Sequence, residues 1–336
     1  MTTYIVRRLL LMIPTMLGIT LVCFLLCQFV PGGPVEQVIS RLRAASSVHG
    51  ASQRTISPEE VANIKAYLGF DKPIHVRYFI WLGKLLHFDF GFSYVYHMPV
   101  WDVIISKMPI TLFFGLTSFI LSYIVSIPLG VWKAVKHHSL FDIVTGALVF
   151  AGYVIPGYAL GILLIIYFGG GSYFQWFPIS GIVSDNFEEL STMGKSLDFL
   201  HHICLPMICY MIGEFAFLTQ LMKNTLLDEL NKEYIRTALV KGVSFRRAVW
   251  KHGFRNALIP IATSSADLFT VMFAGTVLLE RVFDLDGMGN LLYTSTVSRD
   301  YNVVLGIIVL TSILTMFGRL FADILYVIFD PRIRFT

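Results

Sequence analysis

Three groups of side chains in the sequence have the types that could do chemistry. Gly194-Lys195-Ser196 matches the end of a phosphate-cradling loop, but such a loop needs glycine five positions earlier, where Glu189 stands, and a preceding strand that the sequence does not offer. His201, His202 and Cys204 are metal-ligating types, yet neighbours this close point different ways at a helix mouth, and no second cluster completes a ligand set. They read as interfacial side chains. The third group is polar residues within apolar runs: Thr263, Asp267 and Thr270 at i, i+4 and i+7, with Ser264 beside them, then Thr315, Arg319 and Asp323, and Glu214 alone. Ionisable groups are costly in hydrocarbon and face protein or water. Two readings stay open for them, a wet lumen or hydrogen bonds between helices. Arg319 and Asp323 stand at ion-pair spacing and favour a structural pair. Glu214, Thr263, Asp267 and Thr270 are the candidates to line such a wet path.

These residues need a membrane to sit in. Of 336 residues, 55% are hydrophobic and only 14% charged, against about 25% charged in a typical soluble domain. Six apolar runs reach the length of about 20 residues that a spanning helix needs: 9–30, 111–132, 143–168, 203–222, 257–279 and 303–329. The expected fold is all-α, a polytopic bundle of six transmembrane helices. The first run follows Arg7 and Arg8 like a secretory signal, but it is long and no small-residue cleavage pattern follows, so it reads as a retained helix. Cys23, Cys27, Cys204 and Cys209 fall in or at the edge of these runs and read as small apolar side chains without a disulfide framework.

With the N-terminus inside, fourteen Lys and Arg fall on the inner side and three in the short outer loops. That asymmetry places both termini in the cytoplasm, and it accounts for the net charge of +4 without nucleic acid. Residues 1–30 form the first helix, 31–110 an outer module, 111–329 the core and 330–336 a tail. In the outer module, Ser57 is expected to cap a helix opening at Pro58 and stopping at Gly69, and the aromatic segment from Tyr78 to Trp101 to lie at the outer interface. Gly157 and Gly161 have the small-xxx-small spacing of a helix-packing face.

Between the fourth and fifth runs lies the charged, Gly-punctuated stretch KEYIRTALVKGVSFRRAVWKHGFRNALIP, 232–260. Its pattern predicts two short helices over 232–253, the first capped by Asn231 and stopped by Gly242, the second capped by Ser244 and stopped by Gly253. Neither can span. The pair lies on the cytoplasmic face, either as a basic loop attracted to anionic lipid or as a docking element.

Thr237 and Ala238, then Gly242, then His252 with RNALIP at 255–260 resemble the coupling-helix signature of inner-membrane permeases of ABC importers, in the dipeptide and oligopeptide branch. The resemblance runs through nearly the whole chain, with RRLLLMIPTMLGIT and PGGP near the first run, LGFDKP and RYFIWLGKLLHFDFGFS in the outer module, PITLFFGL, ERVFDLDGMG, RDYNVV and FDPRIR. Arg236 stands where the family has a glutamate, Phe88-Asp89 replaces a Gly-Asp pair, and PGGP replaces PGDP. With KEYIRTA, the last two features most resemble the subgroup importing oligopeptides and the peptide-nucleotide antibiotic microcin C.

The resemblance implies a type I importer permease in the bacterial inner membrane. It pairs with a homologous permease, takes peptide from a periplasmic binding protein, and rests on two ABC ATPase subunits or one fused ATPase. ATP and Mg would be bound by those partners, with no catalytic residue, metal or cofactor in this chain. Tyr234, Arg236, Thr237, Ala238, Gly242, Ser244 and His252 would form the ATPase-coupling set. A permease for dipeptides or another small solute of the same family is an alternative. A proton-coupled secondary transporter would also place acids such as Asp267 and Glu214 in mid-membrane, but would show paired repeats, which are missing here, and needs no cytoplasmic hairpin. A membrane-anchored sensor would need a cytoplasmic output domain.

Overall fold

The computed structural model describes residues 2–29, 39, 57, 59–62, 71–93, 95–170, 173–262, 264 and 276–329. In chain order the elements are α1 (Thr2–Phe29), α2 (Ile74–Leu86), the strands β1 (Phe92–Ser93) and β2 (Met98–Pro99), α3 (Val100–Val135), α4 (Leu140–Val154), α5 (Gly157–Phe168) and α6 (Thr192–Leu230). There follow α7 (Glu233–Val240), α8 (Phe245–Ala248), a π-helical turn at Val249–Gly253, α9 (Val277–Val282), α10 (Met288–Val297) and α11 (Tyr301–Phe329). The antiparallel β1–β2 hairpin, with Phe92 opposite Pro99 and Ser93 opposite Met98, is a small correction to the all-α expectation.

Among the described residues, four helices are long and apolar enough to cross a membrane, α1, α3, α6 and α11, and a bent pair makes up to five. The expected third span, 143–168, is that pair: α4 and α5 meet at a 103° bend. Pro156 is the reason, since it has no N–H to donate and drives the residue before it out of helical geometry; Ile155 is extended at φ −80, ψ 117. The fifth run, 257–279, lies partly outside the described residues. The 39 residues of α6 reach about 58 Å at 1.5 Å per residue, twice the roughly 30 Å of a hydrocarbon core, so its ends project from the bilayer.

The chain divides into two compact units. The first comprises 1–5, 107–290 and 314–336. Its core has two apolar clusters. Phe114, Leu205, Met207, Cys209, Leu279 and Phe283 form one, and Val131, Leu218, Met222, Leu226, Val249, Ala257 and Ile261 the other. Glycines set the approach of the helices: a Cβ at Gly130 would lie 2.6 Å from Met222, at Gly157 2.7 Å from the Cys209 carbonyl, and at Gly161 2.9 Å from Phe283. The Gly157 and Gly161 pair is thus a packing face, as expected.

The second unit comprises 6–106 and 291–313. Here α2 turns Tyr78 onto α1, where the phenol meets Thr20 Oγ1 at 3.0 Å and the ring meets Phe24 edge-on, while Phe79, Ile80 and Leu86 stay exposed. Asp300 is buried and accepts from Ser93 Oγ at 2.5 Å and from the Val95 amide at 3.2 Å, pinning the hairpin beside α11. Ser57 caps the expected helix start, accepting from the Glu60 amide at 3.1 Å while the Glu60 carboxylate accepts from the Ser57 amide at 2.9 Å, a reciprocal capping box. Gly69 lies outside the described residues.

Candidate functional site

The charged stretch folds as a hairpin at the projecting end of α6. Asn231 closes α6 and does not cap α7; the N-cap is Lys232, extended at φ −75, ψ 148, with no side-chain cap bond. Lysine has no acceptor to offer an amide, and Glu233 in the first turn supplies the negative charge that helix start favours. Gly242 ends α7 as expected. Its φ is +84, and two bonds close the end, Gly242 N–H to the Leu239 carbonyl at 2.9 Å and Val243 N–H to the Ala238 carbonyl at 3.1 Å. This is a Schellman motif. Nothing lies within 4 Å of a Cβ built at Gly242, so glycine is needed for the backbone angle and not for space.

Ser244 is the N-cap of α8, in extended geometry and without a side-chain cap bond. The expected stop at Gly253 is corrected: α8 passes into the π turn Val249–Gly253, and helix resumes over 254–262. Gly253 packs instead, 3.2 Å from Leu226 and 3.4 Å from Leu230 if given a Cβ.

The hairpin's foot is locked by polar contacts. The Tyr234 hydroxyl donates to the Glu229 carboxylate and accepts from Asn256 Nδ2 at 3.1 Å, and Lys232 pairs with Glu229. Burial, and then the adjacent Glu229 carboxylate, push the Tyr234 hydroxyl above its ordinary pKa. One turn on, Arg236 pairs with Glu233 at 3.2 Å and Thr237 donates to the Glu233 carbonyl at 2.9 Å. Ile235 is buried beneath, which anchors α7. The tip is the opposite: Leu239, Phe245 and Val240 are exposed, the last at 88%, and Arg236, Lys241, Arg246 and Arg247 around them are exposed too. Ala238 is half-buried and His252 likewise.

Of the candidate path, Thr263, Asp267 and Thr270 lie outside the described residues. Ser264 donates to the Ile261 carbonyl at 2.8 Å. Glu214 is half-buried on α6, and its Oε1 has no hydrogen-bond partner among the described residues. Arg319 is exposed on α11, and Asp323 accepts from the Tyr4 hydroxyl at 3.1 Å. The dismissed clusters have local explanations. Ser191 caps α6 by accepting from the Gly194 amide at 3.2 Å, which makes Gly194-Lys195-Ser196 a helix start. His202 is buried with Nδ1 2.8 Å from the Asp198 carbonyl, and no metal-holding group of side chains occurs among the described residues.

Besides Asp300, two buried carboxylates were not singled out from the sequence. Asp142, at the start of α4, meets Lys133 of α3 at 3.0 Å and Lys223 of α6 at 2.7 Å, with His137 Nδ1 at 3.2 Å. Lys133 is wholly buried, its ammonium also donating to the Asp142 carbonyl at 2.9 Å and to Thr145 Oγ1 at 3.1 Å. From the sequence these lysines look like solvated loop charges. Glu280 is the second. It is fully buried and accepts from Thr111 Oγ1 at 3.0 Å and from the Asn290 amide at 2.8 Å, and Thr111 Oγ1 in turn accepts from the Met288 amide at 2.7 Å. A Cβ at Gly287 would lie 2.6 Å from the Glu280 carboxylate, so the ERVFDLDGMG segment folds around its own first residue. The glutamate and glycines of that motif were visible as a pattern; their contact was not.

The chain resembles known proteins along its whole length. A family profile described as "Binding-protein-dependent transport system inner membrane component" matches residues 126–335, and a companion profile for the N-terminal part of such membrane components matches 1–115. The chain is 42% identical to the inner membrane ABC transporter permease protein YejB of Escherichia coli O157:H7 and 40% identical to the peptidoglycan transport system permease protein YejB of Agrobacterium fabrum, each match covering all of this chain and 99% of the relative. It is 35% identical to the oligopeptide transport system permease protein AppB of Bacillus subtilis, over the full length of both. With one profile covering more than half its length and relatives matched end to end, the chain belongs to the family of inner membrane components of binding-protein-dependent transport systems.

Proposed function

We propose that this chain is a permease subunit of an ATP-driven importer that carries oligopeptides, or peptide-like compounds such as microcin C, into the cytoplasm. The observation that carries this reading is the hairpin of α7 and α8: a rigid foot at Tyr234 and an exposed apolar tip rimmed with arginine and lysine. Exposed aliphatic and aromatic side chains at the end of a helix that projects from the bilayer suit a protein groove better than lipid headgroups. Tyr234, Arg236, Thr237, Ala238, Gly242, Ser244 and His252 are the coupling set on this reading. Peptide as cargo is supported by the relatives named as oligopeptide and dipeptide permeases.

The chain itself does no chemistry. A second, homologous permease would complete the path, two ATPase subunits or one fused ATPase would bind ATP and Mg against the hairpin, and a periplasmic binding protein would deliver the peptide. The excess of Lys and Arg beside the hairpin supports cytoplasmic termini and six crossings. Glu214, with Thr263, Asp267 and Thr270, would face the path, and Arg319 and Asp323 would hold structure.

Uptake of labelled peptide by vesicles carrying the complete importer tests this. It should survive a protonophore and stop with vanadate. Uptake abolished by the protonophore while ATP persists would overturn ATP-driven transport in favour of proton coupling.

A further inference from the structure

The helices of the first unit do not expose the same kind of surface. Over 111–132, the exposed residues of α3 are Leu116, Ile120, Ile124, Val125, Pro128 and Trp132. Over 143–168, α4, α5 and the Pro156 between them likewise expose only aliphatic and aromatic side chains, alanines and the proline, with no charged or amide group. Lipid can cover such surfaces at no polar cost. On α6 the exposed residues from 213 onward are Gly213, Phe217 and Gln220 within the apolar run ending at 222, then Asn224 and Asp228 just beyond it. Their spacing of four, three, four and four puts them on one face of the helix. Among the described residues, a Cβ built at Gly213 meets nothing within 4 Å.

Within the stripe, Gln220 Nε2 donates to Asn224 Oδ1 at 3.0 Å. One carboxamide thus orders the next, one turn along, and this bond does not use the carbonyl oxygen of Gln220 or the N–H2 of Asn224. An acceptor and a donor held side by side are what the N–H and C=O of an extended peptide unit require. Neither amide carries charge, so the pair does not discriminate among the side chains of a passing peptide. Burying these amides in lipid without partners would be costly, which is why a face of this composition must meet water, protein or cargo.

Resting on the importer reading above, we propose that the Phe217, Gln220 and Asn224 face of α6 lines the water-filled path and binds the main chain of the cargo peptide through the paired carboxamides. The occupant is an extended peptide backbone. Phe217 offers an apolar surface beside the amides for whatever side chain accompanies it.

The test uses the complete importer in proteoliposomes, with Cys23, Cys27, Cys204 and Cys209 replaced and one thiol introduced at a time. Gln220→Cys and Asn224→Cys should react with a charged, membrane-impermeant thiol reagent at least about tenfold faster than Ile124→Cys and Leu148→Cys, because only a thiol in water ionises readily. Peptide trapped in the path with vanadate should slow the reaction at the two stripe positions alone. In a separate arm, Gln220→Leu with Asn224→Leu should lose most uptake while binding-protein-stimulated ATP hydrolysis persists, and exchanging the two amides, Gln220→Asn with Asn224→Gln, should recover it. Thiols no more reactive than the controls would overturn the proposal and place the stripe against the second permease. Reactive thiols with full uptake by the leucine pair would overturn the peptide-binding role. Vanadate-sensitive uptake by the cysteine-replaced importer is scored independently, so failure of the ATP-driven reading is distinguishable from failure of the stripe.

Discussion

Lys223 of α6 and Asp142 of α4, 81 positions apart in sequence, meet at 2.7 Å, with the wholly buried Lys133 3.0 Å from the same carboxylate oxygen. Two ammonium groups share one carboxylate in a site where water reaches little of either partner. Removing the acid leaves both cations uncompensated. Asp142→Ala is therefore expected to cost about 3–5 kcal/mol, whereas Lys223→Met keeps the Lys133 pair and should cost about 1.5–3 kcal/mol. Thermal unfolding of the purified permease in detergent should rank the two in that order, and equal midpoints would contradict it.

The Glu280 site makes a steric prediction. Gly287→Ala puts a methyl group 2.6 Å from both the Glu280 carboxylate and Thr111 Oγ1, overpacking that should cost about 1–3 kcal/mol. Gly242→Ala meets no atom and should cost only the about 1–2 kcal/mol of its left-handed backbone. The two variants separate in what they lose. Gly287→Ala should lower the amount of folded permease in the membrane; Gly242→Ala should leave it nearly unchanged and weaken coupling.

At the hairpin, Ala238→Asp and Gly242→Pro should uncouple transport while the permease still inserts and pairs with its partner. Proline cannot adopt φ +84 and also deletes the N–H that bonds Leu239. A carboxylate at position 238 would have to lose water against the ATPase at a cost of a few kcal/mol, where each 1.4 kcal/mol is about tenfold in affinity. The measurement is paired, permease abundance and co-purification of the partner permease against peptide uptake and stimulated ATPase rate. Normal uptake by both variants would reduce the hairpin to a lipid-facing loop.

Tyr234→Phe removes the hydroxyl that joins Glu229 to Asn256. The loss of about 1 kcal/mol at the hairpin's foot should leave insertion intact and reduce the ATPase response to the loaded binding protein several-fold. An unchanged response would show that the foot is held by Ile235 and the Lys232–Glu229 pair alone.

What the sequence disclosed depended on the range of the interaction. Local devices were legible: Ser57 with Glu60, the positive φ of Gly242, and the close packing at Gly157 and Gly161 all follow from residue type and spacing. Hydropathy located α1, α3, α6 and α11 but could not register the 103° bend, because Pro156 interrupts the backbone without interrupting the apolar run. Asn231 looked like a cap because its type suits that place, yet α6 continues up to it and claims it as a C-terminus. Lys133 and Asp142, like Thr111 and Glu280, are paired only after helices far apart in sequence come together. The amide stripe escaped for another reason: Gln220 and Asn224 lie across the end of the apolar run, where uncharged polar side chains look like ordinary boundary residues.

The π turn at Val249–Gly253 has a bearing on register. A π turn holds one more residue than the α turn it replaces, the mark of a single-residue insertion absorbed within a helix. Ala248 is buried just before it, Val249 at its first position and Ala257 and Ile261 after it, the last three in one cluster with Leu218, Met222 and Leu226 of α6. Closing the turn to α geometry with all its residues kept would rotate everything beyond by about 100°, carrying Ala257 and Ile261 off that surface, whereas deleting one residue as it closes would leave them in step. The wide turn acts as a phase corrector: it lets the tip be spaced for one neighbour while the following helix stays in step with another.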